Sequence, residues 1–436
     1  MRLNELLKTY PNFHFDLEEY LRSTAIASSL DKSLSAFFSA RAKNAGIDSY
    51  ADFIVESLNQ GACRAVPAYR RISSISSLRD LPFVQKNDLR ERGGEYVSSD
   101  FAPEQLWVRK TTGSSGPPTL VFYDAEFYFD FLLLSLQKVA HTASVQNVGD
   151  RPIFCVAVSG NLACREFVAS DPSKPMGHFV QILVQENSID SFKRAPRLIE
   201  ELQPVCVSSK PSVLEMMCSV ASQSLDASSA PEIVVSGGAE VSSHLRANLE
   251  HCFSSRVVDT YGMTEFGLIA SESSAGQLLI DTSAFAVEVI DEQGHPLPPG
   301  QVGELVISSL KNTAMPLLRY KTEDLGALDG TGTRFERFVG RKIRCFKLAD
   351  GGLFSPTYFN DLFTRFPNLA EFQLIQERLS DFQLLIDPLD RSALTSTMTE
   401  ELRHYVSNAI PGNPNVSVKF GTEYGLGKFE RFKMNC

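Results

Sequence analysis

The stretch EIVVSGGAEVSSHLRANLEHCFSSRVVDTYGMTEFG, residues 232–267, decides the fold because its pattern predicts two buried strands joined by one helix. The apolar run EIVV stops at two glycines, which is typical of a buried strand that ends in a turn. Val241, Leu245 and Leu249 recur at four-residue intervals, so they share one face of a helix. The run RVVDTYG predicts a second strand, and this order of elements predicts a parallel pair covered by the helix.

The same alternation extends upstream of this stretch. RPIFCVAVSG and PVCVSS predict strands, whereas APRLIEELQ and SVLEMMCSVASQSL predict helices. Asn87 is expected to cap a short helix, and a helix surface is the expected place of Glu166 and Asp171. From residue 283, SAFAVEVIDEQGHPLPPGQVGELVISSL predicts two strands around a Gly/Pro turn. The pattern predicts an α/β protein with a large N-terminal domain, residues 1–341, that holds mainly parallel sheets and a β-rich subdomain. Residues 342–436 are predicted to form a small α+β C-terminal domain.

Composition and charge exclude several classes of function. The 436 residues include 42 Lys and Arg against 52 Asp and Glu, a net charge of −10, and no basic cluster indicates nucleic-acid binding. The eight cysteines are scattered without a CxxC pair, and the seven histidines form no HExxH or HxxxH motif. The cysteines are therefore expected to be reduced, and a metal-hydrolase centre is not expected.

The chain begins without the apolar stretch of a signal peptide, and its most apolar run is short. FDFLLLSL, residues 129–136, is too short to span a bilayer and predicts a buried helix. We therefore expect a cytoplasmic protein that does not interact with a membrane.

The loop KTTGSSGPPT, residues 110–119, is rich in Gly, Ser and Thr but lacks the spacing of a Walker P-loop. Its backbone N–H groups and hydroxyls can hold a phosphate, although a linker or surface loop fits these letters better when they are taken alone. TLVFYD follows at once and predicts a strand, which places the loop inside a domain.

The segment DTYGMTEFG, residues 259–267, follows a buried strand and carries several polar groups. Asp259, Thr264 and Glu265 are expected at the carboxyl end of that strand, where open α/β sheets bind ligands. Glu265 is a candidate ligand for Mg²⁺, which prefers a few carboxylates together with substrate phosphates. An ordinary strand and loop with solvated polar residues remains the alternative.

Three later segments carry weaker signals. In LLRYKTEDLG, residues 317–326, an aspartate can accept both ribose hydroxyls, or the segment is a charged surface turn. GRKIRCFKLADGG, residues 340–352, alone predicts an edge strand. In GLGKFER, residues 425–431, Lys428 can reach a phosphate, although a solvated lysine is the commoner case.

In this order along the chain, the five motifs resemble those of the adenylate-forming superfamily of acyl-CoA synthetases, peptide-synthetase adenylation domains and luciferases. The resemblance is greatest to the phenylacetate-CoA ligase branch, whose loop Ser-Ser-Gly-Thr-Thr-Gly-Lys-Pro-Thr corresponds here to TTGSSGPPT. YGMTE, RYKTEDLG and GRK match its other motifs, and VPAYRR and LRDLPFVQKNDLRE resemble its N-terminal segment. The resemblance spans about residues 60–431.

The resemblance implies a role for individual residues. It assigns ATP to these positions: Thr111, Thr112, Gly113, Ser114, Ser115, Gly116, Gly238, Ala239, Glu240, Asp259, Tyr261, Gly262, Asp324 and Arg341. It assigns the acyl substrate to Ser209, Ser236, Gly237 and Met263. Thr264 would touch the α-phosphate, Glu265 would carry Mg²⁺, and Lys428 would bridge the acyl carboxylate and the α-phosphate.

The implied reaction joins a carboxylic acid, in this branch an aryl acid, to AMP and then to the thiol of coenzyme A. Positioning and charge neutralisation supply most of such catalysis, so no His or Cys nucleophile is needed. Two alternatives remain: the same first step serving a carrier-protein thiol or amide formation, and a nucleotide-binding regulatory protein without turnover. The resemblance also implies a C-terminal domain that rotates between the two steps, and homodimers are common in the branch.

Two positions depart from the branch pattern. Pro117 stands where the loop of the branch has Lys, and Ile343 stands at the hinge position, where the branch has a polar residue. The first departure removes a positive charge near the expected γ-phosphate, and the second changes the expected pivot of the domain rotation.

Overall fold

The structure is a computed structural model in which the contacts divide the chain into two compact units. One unit comprises Met1–Thr322 and Gly326–Arg337, and the other comprises Glu323–Leu325 and Phe338–Cys436. The structure describes residues 32–33, 35–40, 47–72, 74–111, 119–145, 151, 153–159, 166–171, 177–185, 189–220, 229–238, 241, 243–341, 345–354, 356, 359, 362, 366, 369–388, 396–421 and 432–435.

The observed helices lie close to the segments in which the sequence periodicity predicts helices. They are α1 (Ile47–Asn59), α2 (Lys86–Arg92), α3 (Ala125–Phe129), a π-helix (Asp130–Leu134), α4 (Ser135–Thr142), α5 (Ile189–Leu202), α6 (Pro211–Val220), α7 (Ser243–Phe253) and α8 (Ser396–Ala409). Short 3-10 helices lie at Pro67–Tyr69, Leu78–Asp80, Gly93–Tyr96 and Pro103–Gln105.

Within the described residues, the strands form one large sheet and three small ones. They are β1 (Trp107–Lys110), β2 (Leu120–Tyr123), β3 (Ile153–Ser159), β4 (Glu166–Asp171), β5 (Gly177–Gln185), β6 (Cys206–Ser209), β7 (Ile233–Gly237), β8 (Arg256–Met263), β9 (Gly267–Glu272), β10 (Leu278–Ile280), β11 (Ala286–Ile290), β12 (Gly303–Ser309), β13 (Leu317–Leu328), β14 (Arg334–Arg341), β15 (Phe346–Lys347), β16 (Leu353–Phe354), β17 (Leu369–Arg378), β18 (Asp381–Pro388), β19 (Asn415–Phe420) and β20 (Phe432–Met434).

The large sheet has twelve strands in the order β11-β12-β13-β14-β10-β9-β8-β7-β6-β3-β5-β4. Strands β5, β3, β6, β7 and β8 are parallel neighbours, as the strand-helix alternation predicts. The two strands predicted after residue 283 pair antiparallel as β11 and β12. They belong to the same sheet as the parallel strands and form no separate sheet. The α/β fold is confirmed. The parallel strands and the antiparallel strands are neighbours in one mixed sheet.

Helices cover both faces of the parallel strands because side chains alternate along each strand. Val234 of β7 packs into a cluster with residues of α5, α6 and α7. Its neighbours Ile233 and Val235 point the other way and pack with residues of the π-helix and α4. A strand that is buried on both faces reads as an unbroken apolar run, which is why EIVVSGG was recognisable from sequence.

The segment after β3 differs from the sequence-based expectation. Glu166 and Asp171, expected on a helix surface, lie instead in β4, which pairs antiparallel with β5 at the edge of the large sheet. Another expectation is wrong by two positions: Asn87 was expected to cap a short helix, but α2 begins at Lys86 and its capping residue is Gln85.

The expectation of reduced cysteines is wrong for one pair. Cys218 of α6 and Cys252 of α7 form a disulfide with an S–S distance of 2.32 Å and a Cα–Cα distance of 5.9 Å. The two residues are 34 positions apart in sequence, so only the side-by-side packing of α6 and α7 brings them together.

The C-terminal unit has its own sheet and core. Its four-stranded sheet has the order β19-β18-β17-β20, and β17 pairs antiparallel with β18. Leu402, Val406 and Ile410, in and just after α8, are fully buried in one cluster with residues of β17 and β18. A hydrophobic core of its own is what an independently folding unit needs.

Among the helices of the described residues, none has the length and apolar character that crossing a membrane requires.

Candidate functional site

Three polar residues form a row across neighbouring parallel strands. Ser209 at the end of β6 pairs in register with Ser236 of β7, and Ser236 pairs with Asp259 of β8. All three were predicted site residues, and the structure brings them together at the carboxyl edge of the sheet. That edge is where ligands bind in open α/β sheets.

The end of β7 accepts only a residue without a side chain. Gly237 lies beside Thr260 of β8, and a Cβ atom at Gly237 would come within 2.6 Å of the Thr260 Oγ1 atom. The Thr260 hydroxyl donates a hydrogen bond of 2.8 Å to the carbonyl oxygen of Ser236, which fixes the two strand ends. Gly238 follows with a φ of +83°, a conformation that favours glycine. The two glycines let the chain turn away directly after the strand.

The hydroxyl groups of Ser209 and Ser236 differ in their hydrogen bonds. The Ser209 Oγ atom donates to the carbonyl oxygen of Val156 at 2.5 Å. The Ser236 Oγ atom is fully buried and has no hydrogen-bond partner among the described residues. Buried hydroxyls are normally paired, so an orphaned one at this edge indicates a group that belongs beside it.

The backbone of Asp259 is held by the neighbouring strand. Its N–H donates a hydrogen bond of 2.8 Å to the Glu272 Oε2 atom, and Arg246 forms an ion pair of 2.9 Å with the same oxygen. The Asp259 Oδ1 atom accepts a hydrogen bond of 2.8 Å from the N–H of Thr260. These contacts hold β8 in place at the point where the following turn begins.

That turn, residues 264–266, is held by two tyrosines that the sequence analysis missed. The Tyr123 hydroxyl donates a hydrogen bond to the carbonyl oxygen of Thr264. The Tyr320 hydroxyl donates a hydrogen bond of 3.0 Å to the Glu265 Oε1 atom. Burial raises the pKa of Tyr123 well above its usual value, so its hydroxyl remains a donor at neutral pH. The tyrosines are 141 and 55 positions away from their partners, and no local pattern reports such contacts.

The Glu265 carboxylate is only 5% exposed. In the described part of the chain it forms no ion pair with Lys or Arg, and its hydrogen bond from Tyr320 is neutral. A buried carboxylate without a cation is costly, and this one fits a metal ligand. No cluster of three or more His, Cys, Asp or Glu side chains that could hold a metal occurs within the described ranges. A Mg²⁺ at Glu265 would therefore take its other ligands from substrate oxygens and water.

Tyr261, Gly262 and Met263 lie on the last residues of β8. The Tyr261 ring is 6% exposed and meets the Phe335 ring edge-to-face, with 5.7 Å between centroids. A Cβ atom at Gly262 would come within 2.8 Å of the carbonyl oxygen of Gly267. Met263 is 8% exposed, and its sulfur lies 3.6 Å from the Tyr261 hydroxyl. Stacking of Tyr261 on adenine stays a prediction.

The Gly-rich loop connects the two strands of a hairpin. β1 pairs antiparallel with β2, and the predicted strand TLVFYD is confirmed as β2. Thr111 and Thr119 close the loop with two hydrogen bonds of 2.9 Å, one between backbone groups and one to the Thr111 Oγ1 atom. Because Thr111 and Thr119 are joined and the strands beside them are paired, the segment does not link two domains.

Asp324 and Arg341 lie in the second unit and form an ion pair. The Arg341 Nε atom is 2.9 Å from the Asp324 Oδ1 atom, and Glu323 Oε2 lies 3.9 Å from Arg341 Nη1. Asp324 is 4% exposed. The resemblance places these two residues near each other, and the structure does so too, whereas binding of ribose stays a prediction.

Several predicted residues lie outside the described residues: Thr112, Gly113, Ser114, Ser115, Gly116, Ala239, Glu240 and Lys428. Pro117 and Ile343, the two departures from the branch pattern, lie outside them as well.

Comparisons with known proteins find a family match and several relatives. Residues 177–315 match the model of a family described as AMP-binding enzyme. The phenylacetate-coenzyme A ligase of Pseudomonas putida is 27% identical over 301 residues, 63% of this chain and 65% of the ligase. The phenylacetate-coenzyme A ligase of Escherichia coli is 25% identical over 375 residues, 79% of this chain and 82% of the ligase. The chain thus spans just under two thirds of the Pseudomonas putida ligase.

Two solved structures have a similar fold. One is 2-hydroxyisobutyryl-CoA ligase in the postadenylation state with 2-HIB-AMP, with a TM-score of 0.63, 17% identity and coverage of 87% of each chain. The other is the anthranilate CoA ligase AuaEII with anthranoyl-AMP, with a TM-score of 0.50, 14% identity and coverage of 75% of this chain and 66% of the ligase.

Residues 177–315 thus match an AMP-binding enzyme family, and the fold of the chain is that of solved CoA ligases. Along its sequence, the chain is a distant homologue of the phenylacetate-coenzyme A ligases.

Proposed function

We propose that the protein uses ATP to activate a carboxylic acid as acyl-AMP and then transfers the acyl group to coenzyme A. The observation that carries this proposal is the strand edge. It combines an orphaned buried Ser236 hydroxyl with a buried Glu265 carboxylate that has no cation partner among the described residues. Acyl-AMP ligands in two solved structures of similar fold support the same chemistry.

The first step needs positioning more than acid–base catalysis. A carboxylate oxygen of the acid bonds to the α-phosphorus of ATP, the bond to the β-phosphate bridging oxygen breaks, and pyrophosphate leaves with the electron pair. Mg²⁺ at Glu265, when bound, would neutralise phosphate charge. Thr264 lies next to Glu265 in the turn that Tyr123 holds, and we assign it to the α-phosphate. We assign Lys428 to the acyl carboxylate.

In the second step the thiol sulfur bonds to the acyl carbon and AMP leaves, while the thiol loses its proton. We propose coenzyme A as this thiol because the curated relatives are coenzyme A ligases. We propose an aryl acid for the same reason, since those relatives are named for phenylacetate. Asp324 would hold the ribose hydroxyls in the first step, with Arg341 beside it.

Exchange of labelled pyrophosphate into ATP, measured with a panel of aryl, aliphatic and amino acids, tests the first step and identifies the acid. We expect exchange with an aryl acid. A comparison of coenzyme A with a carrier-protein thiol as acceptor then tests the second step. ATP binding without exchange for any acid of the panel would contradict the enzymatic proposal and favour a regulatory nucleotide-binding protein.

The assignment of Lys428 is tested with two assays on one variant. Lys428→Ala should abolish pyrophosphate exchange and should leave thioester formation from supplied acyl-AMP largely intact. If both activities fell equally, Lys428 would have no special role in the first step.

A further inference from the structure

Arg109 lies in β1, two residues before the hairpin loop, against two aromatic rings. Its guanidinium carbon lies 5.3 Å from the ring centroid of Tyr128 and 5.3 Å from that of Phe131. Both distances are within the range of cation–π attraction. The rings fix the guanidinium and remove part of its contact with water, while its N–H groups stay available at the edge of the plane.

The charge of Arg109 has no counterpart among the residues that the structure describes. Among the residues that the structure describes, Arg109 forms no hydrogen bond and no ion pair, and its side chain is half-buried. A guanidinium stays protonated at any physiological pH and carries five N–H donors. A half-buried cation with unused donors favours an oxyanion as its partner, and phosphate and carboxylate both match the planar fork of arginine.

Arg109 lies close to the turn that carries Glu265. Its charge opposes the effect of burial on the pKa of Tyr123, whose hydroxyl donates to the carbonyl oxygen of Thr264. A Cβ atom at Gly267 would lie 3.0 Å from the ring of Phe131, one of the two rings under the guanidinium. The cation and the buried carboxylate therefore flank the same short segment of chain.

The loop itself brings no positive charge. TTGSSGPPT, residues 111–119, contains no Lys or Arg, so it offers a phosphate only hydroxyls and backbone N–H groups. Two basic residues precede it, Arg109 and Lys110, and the structure describes the side chain of Arg109. A polyphosphate carries several negative charges, and bringing it to a partly buried site without cations is costly.

We propose that the Arg109 guanidinium binds a β- or γ-phosphate of ATP and supplies the charge that the loop lacks. This inference rests on the proposed function, because it assumes that ATP occupies the site beside Glu265. A second carboxylate on the acid has the same chemistry as a ligand for Arg109. The test therefore measures ATP, AMP and the acid separately.

Titration calorimetry on the full chain with Mg²⁺ measures the affinities for ATP and for AMP, and pyrophosphate exchange at varied acid concentration measures the KM of the acid. Arg109→Gln should weaken ATP binding at least about tenfold, because it removes charge-assisted hydrogen bonds, and should change AMP binding less than about twofold. Arg109→Lys keeps the positive charge but loses the planar guanidinium, so its affinity for ATP should lie between those of the unaltered protein and Arg109→Gln. Arg403→Gln is the matched control, since Arg403 pairs with Glu400 on the exposed side of α8 and should leave both affinities unchanged.

The outcomes separate the inference from the function on which it rests. If the unaltered protein bound neither ATP nor AMP, the proposed function would fail and this inference with it. If both nucleotides bound and Arg109→Gln changed neither affinity, only the assignment of Arg109 would be overturned. A loss of ATP affinity in Lys110→Gln alone, or a change confined to the KM of the acid, would likewise overturn it. Thermal unfolding of each variant verifies that the fold is retained.

Discussion

Two buried carboxylates of the first unit differ in how their charge is compensated. Asp130, 3% exposed, accepts a hydrogen bond of 2.6 Å from Ser33 and forms ion pairs with Lys138, at 3.3 Å, and with Lys311. Glu265, 5% exposed, has a hydrogen bond from Tyr320 and no ion pair within the described residues. The first carboxylate is balanced by lysines, whereas the second has no cation among the described residues, and we propose Mg²⁺ as its partner.

The pKa directions of Asp130 and Lys138 agree with this reading, whereas burial lowers the pKa of Lys311. Burial alone would raise the pKa of the Asp130 carboxyl, but Lys138 and Lys311 hold it well below its usual range. Burial would lower the pKa of Lys138, but Asp130 and Asp281 raise it above its usual value. Both partners therefore stay charged at neutral pH. Such a network stabilises the helices that carry it only while it is complete.

The largest expected effect comes from opening the balanced network. Asp130→Asn leaves Lys138 and Lys311 buried without their shared carboxylate and should lower the free energy of unfolding by about 3–5 kcal/mol. Urea denaturation measures the loss. Glu400→Gln, which removes one partner of the exposed Arg403 pair, should cost less than about 1 kcal/mol. Equal losses of unfolding free energy in the two variants would show that the buried network contributes no more to stability than the exposed pair.

The same network predicts a pH dependence. Because the folded pKa of Asp130 is depressed, its contribution to stability is present above the unfolded value of about 4 and is lost as pH falls toward the folded value. Between about pH 5 and about pH 3 the unaltered protein should therefore lose more stability than Asp130→Asn. Parallel pH profiles of the two proteins would mean that Asp130 is not strongly paired.

Replacing the uncompensated carboxylate should give the opposite pattern. Glu265→Gln removes a buried charge that has no cation among the described residues and keeps an oxygen for the Tyr320 hydroxyl, so the free energy of unfolding should rise by about 1 kcal/mol or more. The Mg²⁺ concentration for half-maximal pyrophosphate exchange should rise about tenfold or more. An unchanged Mg²⁺ requirement would place the metal elsewhere.

The smallest effect is expected from the hydrogen bond to this carboxylate. Tyr320→Phe should lower the free energy of unfolding by about 1 kcal/mol and raise the Mg²⁺ requirement by about two- to fivefold, because Glu265 loses its orientation. Tyr123→Phe is the matched comparison, since its hydroxyl meets the carbonyl oxygen of Thr264 and not the carboxylate. A similar shift in Mg²⁺ requirement for both variants would argue that each acts only by loosening the turn.

The parallel strands and their helices were predictable because each depends on short-range periodicity. EIVVSGG and RVVDTYG gave the positions of β7 and β8, and with them the row Ser236 and Asp259. Where the local pattern is ambiguous, the prediction failed. Glu166 and Asp171 lie in strand β4, which forms because it can pair with the edge of β5.

By itself, the sequence determined which residue types stand at the strand ends and in what order the motifs follow, since both depend on neighbours along the chain. Only the tertiary structure decided that Asp130 meets lysines and Glu265 meets a tyrosine, that Arg109 lies against aromatic rings, and that Cys218 reaches Cys252. Which buried charges are compensated depends on packing between distant segments, and periodicity does not report such contacts.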